Sequence, residues 1–194
     1  MAKQSINIGS SANDGTGSTL REAFDICNDN FTEIYGGTTS ALGFKAEGTN
    51  FTGSLLIGHS TTGVISSAEN NTGVGISALD ALTTGDANVA IGNLAGSAIT
   101  EGGSNILIGR AAGDALTVGS NNVAIGHFAL SAEDGHGGNT AVGHNALQDQ
   151  NAGADAYNVA IGYEAGKEVT TGVQNILIGA AAGDALTVGS NNVA

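Results

Sequence analysis

The sequence predicts a mainly β protein: a parallel β-roll or solenoid of about 17-residue coils, with a short N-terminal α-helix. Three observations carry this. Short apolar runs each close on a glycine, at Gly58, Gly75, Gly92, Gly109, Gly126, Gly143, Gly162 and Gly179. The steps between these glycines are all 17 residues except one of 19, and a fixed period of this kind means that one unit stacks on the next. The chain holds 32 glycines, no proline and only 4% aromatics, yet it is 41% hydrophobic. A disordered chain would lack that content and its strict placement of Val and Ile.

In chain order, residues 5–9 (Ser-Ile-Asn-Ile-Gly) alternate polar and apolar as a short strand does, and 12–17 carry turn chemistry. Thr19-Leu20-Arg21-Glu22 reads as a capping box that opens a helix. Leu20, Phe24, Cys27, Phe31 and Ile34 follow at spacings of 4, 3, 4 and 3, a seam that Gly36-Gly37 ends. A helix this short must pack on something, either copies of itself or a socket on a larger assembly. Residues 1–36 form this first module, and 37–53 read as a connector with room for one or two short strands.

The repeats occupy 54–194. Within each, the residue before the glycine is Ile or Val and the third before it is Leu, Thr, Val or Ile. Strand geometry puts these two on one face, expected to be the core, and turns the intervening Ala, Leu or Gly away. After the glycine, an alanine column (Ala95, Ala112, Ala129, Ala146, Ala165, Ala182) and an apolar column (Leu82, Ile99, Leu116, Val169, Leu186) predict a second strand. Gly85, Gly102, Gly119, Gly153, Gly172 and Gly189 then close the coil. The glycines after the first strand are expected to mark turns with positive φ. A flattened two-strand coil encloses a thin core, which leaves the outward Leu107, Leu177 and the alanines as contacts for neighbouring chains.

Net charge is −13, and from residue 54 onward the only Lys or Arg are Arg110 and Lys167, which excludes nucleic acid and anionic membrane surfaces as partners. There is no apolar run of about 18 residues to span a membrane, and the first residues lack a signal-peptide core. The single Cys27 excludes an intrachain disulfide, suggests synthesis in a reducing compartment and belongs to the helix seam.

No catalytic or cofactor-binding constellation is expected. His59, His127 and His144 share a column and could stack, but Asn93, Arg110, Tyr163 and Ala180 occupy it too, so an exposed turn position outweighs a metal site. The asparagine column from Asn71 to Asn192 reads as a side-chain ladder satisfying turn backbone rather than a sugar site. Asp80, Asp114 and Asp184 share a column without adjacent coils, so no acid–base pair forms. Thr83, Thr100, Thr117, Thr170 and Thr187 make a ladder too interrupted for ice binding. Residues 105–124 and 175–194 are identical except at Arg110 and Ala180, and the sequence ends inside a repeat, as the proximal part of a longer fibre would.

Units such as Asn122-Val123-Ala124-Ile125-Gly126, Asn139-Thr140-Ala141-Val142-Gly143 and Asn158-Val159-Ala160-Ile161-Gly162-Tyr163 resemble the repeat of trimeric autotransporter adhesin heads. That resemblance covers about 54–194 and implies a left-handed parallel β-roll in a homotrimer. The opening stretch is similar to the N-terminus of tailed-bacteriophage tail fibres, in Ser5-Ile6-Asn7-Ile8-Gly9, Ala12-Asn13-Asp14-Gly15-Thr16-Gly17, Leu20-Arg21-Glu22-Ala23-Phe24 and Asn28-Asp29-Asn30-Phe31-Thr32-Glu33-Ile34-Tyr35. It implies a structural virion protein made in the bacterial host cytoplasm. Residues 1–36 would dock on tail or baseplate proteins, and distal parts would meet a host cell-surface receptor. A bacterial surface adhesin, which would need a signal peptide and a membrane anchor, is the alternative, and a polysaccharide-degrading tailspike is a third.

Overall fold

The computed structural model describes residues 44–48, 51–57, 67–133 and 135–194, all within the second of two compact units, Gly43–Ala194. The predicted helix with Leu20, Phe24, Cys27, Phe31 and Ile34, as well as Gly58 and His59, lies outside the described residues.

β1 (Phe44–Gly48) and β2 (Phe51–Ile57) form an antiparallel pair, and both begin in the segment read as a connector. One three-residue strand per coil follows: β3 (Thr72–Val74), β4 (Val89–Ile91), β5 (Ile106–Ile108), β6 (Val123–Ile125), β7 (Thr140–Val142), β8 (Val159–Ile161) and β9 (Ile176–Ile178). From β2 on, each strand pairs in parallel with the next, in a single sheet ordered β1 to β9. The result is a parallel β-solenoid of about seven turns. Register is exact even across the 19-residue step, where Ala141 still pairs with Ala160, so the two extra residues are absorbed outside the strand.

The face assignment made from strand alternation is inverted. The middle residue of each strand (Leu56, Gly73, Ala90, Leu107, Ala124, Ala141, Ala160, Leu177) is buried, and the flanking β-branched residues face outward. Leu107 and Leu177, expected on the outside, are 0% exposed, and so are Ala95, Ala112, Ala129, Ala146 and Ala165.

Among the described residues the second strand is absent too. Residues 76–83 and their equivalents form turns that hydrogen-bond coil to coil, for example Leu79 N to Ala95 O at 3.1 Å and Gly96 N to Ala112 O at 3.0 Å. Their backbone explains why no strand forms. The second residue after the column glycine is left-handed in every described coil (Ser77, Leu94, Ala111, Phe128, Asn145, Glu164, Ala181), and so is the fourth (Leu79, Gly96, Gly113, Leu130, Leu147, Gly166, Gly183). Alternating left-handed residues cannot make an extended chain.

The core is filled by volume compensation between the strand's middle residue and this fourth position. Where the strand supplies Gly73, Ala124 or Ala141, the turn supplies Leu79, Leu130 or Leu147. Where the strand supplies Leu107 or Leu177, the turn supplies Gly113 or Gly183. A Cβ on Gly113 would lie 2.8 Å from Leu107 Cδ2, so the two volumes exclude each other. Ala90 and Gly96 are both small because Leu79 and Leu107, one coil to either side, fill their space.

Candidate functional site: an apolar strand face and the ladders around it

Turning the β-branched residues outward creates the main surface feature of the solenoid. The two flanking positions of β2–β9 form two columns with no charged residue, broken only by Thr72 and Thr140. Leu55, Ile91, Ile106, Ile161, Ile176 and Ile178 on it are 38–59% exposed. Seven coil steps of ~4.8 Å make the stripe about 34 Å long. This uncharged apolar stripe is contiguous along the coils rather than scattered exposure. The predicted contact residues were wrong, therefore, but the chain does carry an outward apolar column.

The sharp turn that ends each strand is set by the column glycine. Gly75, Gly92, Gly109, Gly126, Gly143, Gly162 and Gly179 have φ between 134° and 145°, well beyond the left-handed helical region that Asn tolerates. Close approach adds a second reason: a Cβ on Gly109 would stand 2.5 Å from Gly126 O in the next coil.

Behind the strands runs the asparagine ladder, buried from Asn71 to Asn175. Asn105 shows its wiring. Its Oδ1 accepts the Asn122 N–H at 2.9 Å. Its Nδ2 donates to Asn88 Oδ1 at 3.0 Å and to Gly119 O at 2.9 Å. Ser54 Oγ starts the column by accepting the Asn71 N–H at 2.8 Å. Each Oδ1 from Asn71 to Asn175 accepts the backbone N–H of the next asparagine, so the ladder serves backbone, although Asn139 Nδ2 is buried without a partner. Threonines act likewise: Thr83 Oγ1 donates to Thr100 O at 2.9 Å and Thr170 Oγ1 to Thr187 O at 3.2 Å.

The histidine column becomes a stack of planar groups on the surface. Arg110 Nη1 donates to His127 Nε2 at 2.8 Å, since a guanidinium can only donate. Ring centroids of His127 and His144 are 5.2 Å apart, and those of His144 and Tyr163 are 5.3 Å apart. Arg110 also lies 5.3 Å from the Phe128 ring centre. The hydrogen bond with Glu164, and that carboxylate's charge, hold the Tyr163 hydroxyl above its ordinary pKa. The two imidazoles are tilted by 36° to each other while His144 stacks on Tyr163, and among the described residues no group of three His, Cys, Asp or Glu is placed to hold a metal.

Of the aspartates singled out, Asp184 is exposed while Asp114 is half-buried. Burial raises the Asp114 pKa above the usual carboxylate value, against smaller lowering effects from its own backbone and from Arg110. Its Oδ1 is buried without a hydrogen-bond partner. No helix among the described residues is long and apolar enough to cross a membrane.

Sequence reasoning missed the polar break at 133–157. Glu133 and Gln150 stand in the column that elsewhere holds Leu82, Ile99, Leu116 and Val169, and both are 0% exposed. Glu133 Oε1 accepts the His136 N–H at 3.1 Å. Gln150 Nε2 donates to Thr170 O at 3.0 Å, and its Oε1 accepts from Asn158 Nδ2 at 2.6 Å. The available signal was the interruption of the apolar column itself, one coil before the 19-residue step. Compared with models of protein families, with curated proteins and with solved structures, the chain finds no match in any of the three.

Proposed function

We propose that this chain is a structural fibre protein: a homotrimeric tail fibre of a bacteriophage, docked on tail or baseplate proteins through residues 1–36, with the solenoid as a shaft directed toward a host cell-surface receptor. The observation that carries the assembly is the uncharged apolar stripe along the strands, which self-association would cover over its whole length at a constant coil repeat. The three-fold arrangement and the phage setting rest on the resemblances to adhesin-head repeats and to tail-fibre N-termini.

The test takes the full chain, its light-scattering mass measured with and without Ile108→Asp plus Ile125→Asp. A trimer is expected for the wild type. The double variant should be monomeric, because burying a carboxylate against an apolar partner face costs several kcal/mol. A monomeric wild type removes the assembly reading, and a dimer removes the three-fold one. In the phage, Phe24→Asp with Phe31→Asp should leave the shaft assembled but the fibre missing from purified virions. Incorporation at wild-type level would withdraw the docking assignment of residues 1–36.

A further inference from the structure

The column immediately before each ladder asparagine holds an outward, left-handed residue, Asn70, Ala87, Ser104, Asn121, Tyr157, Gln174 and Asn191, with φ of 51–60°. One place in it lacks a side chain, Gly138, between Asn121 and Tyr157. A Cβ there would meet Tyr157 Cδ1 at 2.6 Å and Cε1 at 2.8 Å. The Tyr157 ring therefore lies against the Gly138 backbone on one side while the residue stays 57% exposed. Beside this contact lies a cavity of about 410 Å³, lined by Val118, Ser120, Asn121, Asp155 and Tyr157 with Gly135 and Gly138. That volume falls within the about 300–1,000 Å³ of small-molecule sites.

Asp155 in turn occupies a position that is glycine in five other coils (Gly85, Gly102, Gly119, Gly172, Gly189). Its carboxylate is held in place: Oδ1 accepts the Gly137 N–H at 2.9 Å and Oδ2 accepts the Tyr157 hydroxyl at 3.3 Å. Each oxygen keeps a lone pair for a further donor. The cavity sits where the repeat departs from its rule, beside the polar core substitutions Glu133 and Gln150 and the two extra residues of the 19-residue step. Departures from local rules at a stability cost gather at functional sites.

We propose that this cavity binds a neutral saccharide unit, stacked on Tyr157 and held through its hydroxyls by Asp155, with Ser120 and Asn121 completing the polar lining. The chemistry selects the class. A rigid aromatic face takes the apolar C–H face of a sugar ring, and a fixed carboxylate beside it accepts paired hydroxyl donors. An anionic ligand is disfavoured by Asp155 and by the chain's net charge of −13. A metal ion is disfavoured because Asp155 is the one carboxylate lining the cavity among the described residues. The proposal stands on the cavity alone and is independent of the oligomeric state.

The test is saturation-transfer NMR on the full chain with neutral methyl glycosides of glucose, galactose, mannose, rhamnose and N-acetylglucosamine. At least one should receive saturation on its ring protons. Tyr157→Ala should weaken that binding by about tenfold or more, and Asp155→Asn should do the same. Tyr163→Ala, which removes a tyrosine of equal exposure (56%) outside the cavity, should leave the signal unchanged. Should Asp155→Asn fail to fold through loss of its Gly137 contact, the exposed Tyr157 variant decides alone. Silence from all five glycosides overturns the proposal. Signals indifferent to Tyr157→Ala, or lost in Tyr163→Ala, overturn it equally, and so does binding that appears only with added Ca²⁺.

Discussion

The asparagine ladder makes a quantitative demand on stability that Asn105 can test. Replacing Asn105 by alanine removes the acceptor of the buried Asn122 N–H and a donor to the buried Gly119 carbonyl. Asn88 Oδ1 is less affected, because it still accepts the Asn105 backbone N–H at 3.1 Å. Two backbone groups are thus left unpartnered away from water, at about 1–3 kcal/mol each, so Asn105→Ala should cost about 2–6 kcal/mol per chain. Asn105→Asp sharpens the test. Its carboxyl can still accept from Asn122, but its second oxygen would face two acceptors, Asn88 Oδ1 and Gly119 O, where Nδ2 donated. Only the protonated form can donate there, so the introduced carboxyl should titrate above its ordinary value of about 3.9. A raised folded pKa means that the folded state binds more protons than the unfolded one. The variant's stability relative to wild type is therefore greatest below about pH 4 and falls as pH rises through the folded pKa. Urea midpoints for wild type and both variants at pH 4 and pH 8, at constant salt, measure this. A loss under about 1 kcal/mol for Asn105→Ala, or an Asp variant that gains on wild type between pH 4 and pH 8, would refute the ladder as a stabilising element.

Three further outcomes follow from the backbone and core. Gly109→Asn and Gly109→Ala should destabilise alike, by at least about 1–3 kcal/mol in thermal unfolding, since φ of 134° lies outside the region asparagine visits; a markedly milder Asn would mean an ordinary left-handed turn. Leu107→Ala should cost about 2–5 kcal/mol by leaving a cavity against Gly96 and Gly113. Gly113→Leu alone should clash, whereas the two together reproduce the Ala124–Leu130 arrangement, so a double-mutant cycle should show positive coupling. Asp114→Asn should stabilise the protein at neutral pH, because burial has raised the Asp114 pKa and its charged form is the disfavoured one. That advantage should shrink toward pH 4, and an advantage growing on acidification would contradict the burial argument.

The period, the parallel stacking and the side-chain ladder were legible because a solenoid writes each of them into the sequence at fixed spacing. Inside and outside were not. A three-residue strand such as Val89-Ala90-Ile91 offers one residue to one face and two to the other, and alternation alone does not say which face is buried. Hydrophobicity chose the wrong side. The informative quantity was size: Val and Ile alternate freely in the outer columns, while the middle position swings from Gly73 to Leu107 in step with Leu79 and Gly113. The supposed second strand was misread for a related reason. Its alanines and leucines look extended by composition, yet Asn145, Gly96, Gly113, Gly166 and Gly183 sit at alternate places where a left-handed residue is required. The cavity beside Tyr157 was legible only as the loss of a side chain at Gly138 and of an apolar residue at Glu133.

The inversion has an energetic consequence that ties fold to assembly. A coil buries one Ala, Gly or Leu from its strand and, from its turns, small residues with one or two of Leu79, Leu82, Ile99, Leu116, Leu130, Leu147 and Val169, and leaves its outer Val and Ile partly in water. Sixteen outward strand positions, fourteen of them apolar, line the stripe from Leu55 to Ile178. Burying a Val or Ile fully is worth about 1.5–3 kcal/mol, and six of these side chains are 38–59% exposed and the others less, so covering what remains exposed gives about 0.5–1 kcal/mol each, or on the order of 10 kcal/mol per chain. That equals the whole net stability of a typical domain, about 5–15 kcal/mol. In the proposed trimer, then, folding and association are one event: Ile108→Asp with Ile125→Asp should lower the unfolding midpoint together with the mass, and wild-type stability should rise with protein concentration. A double variant that loses its partners but keeps its stability would show that the Ala, Leu and Asn interior suffices alone, and that the stripe serves some partner other than a second copy.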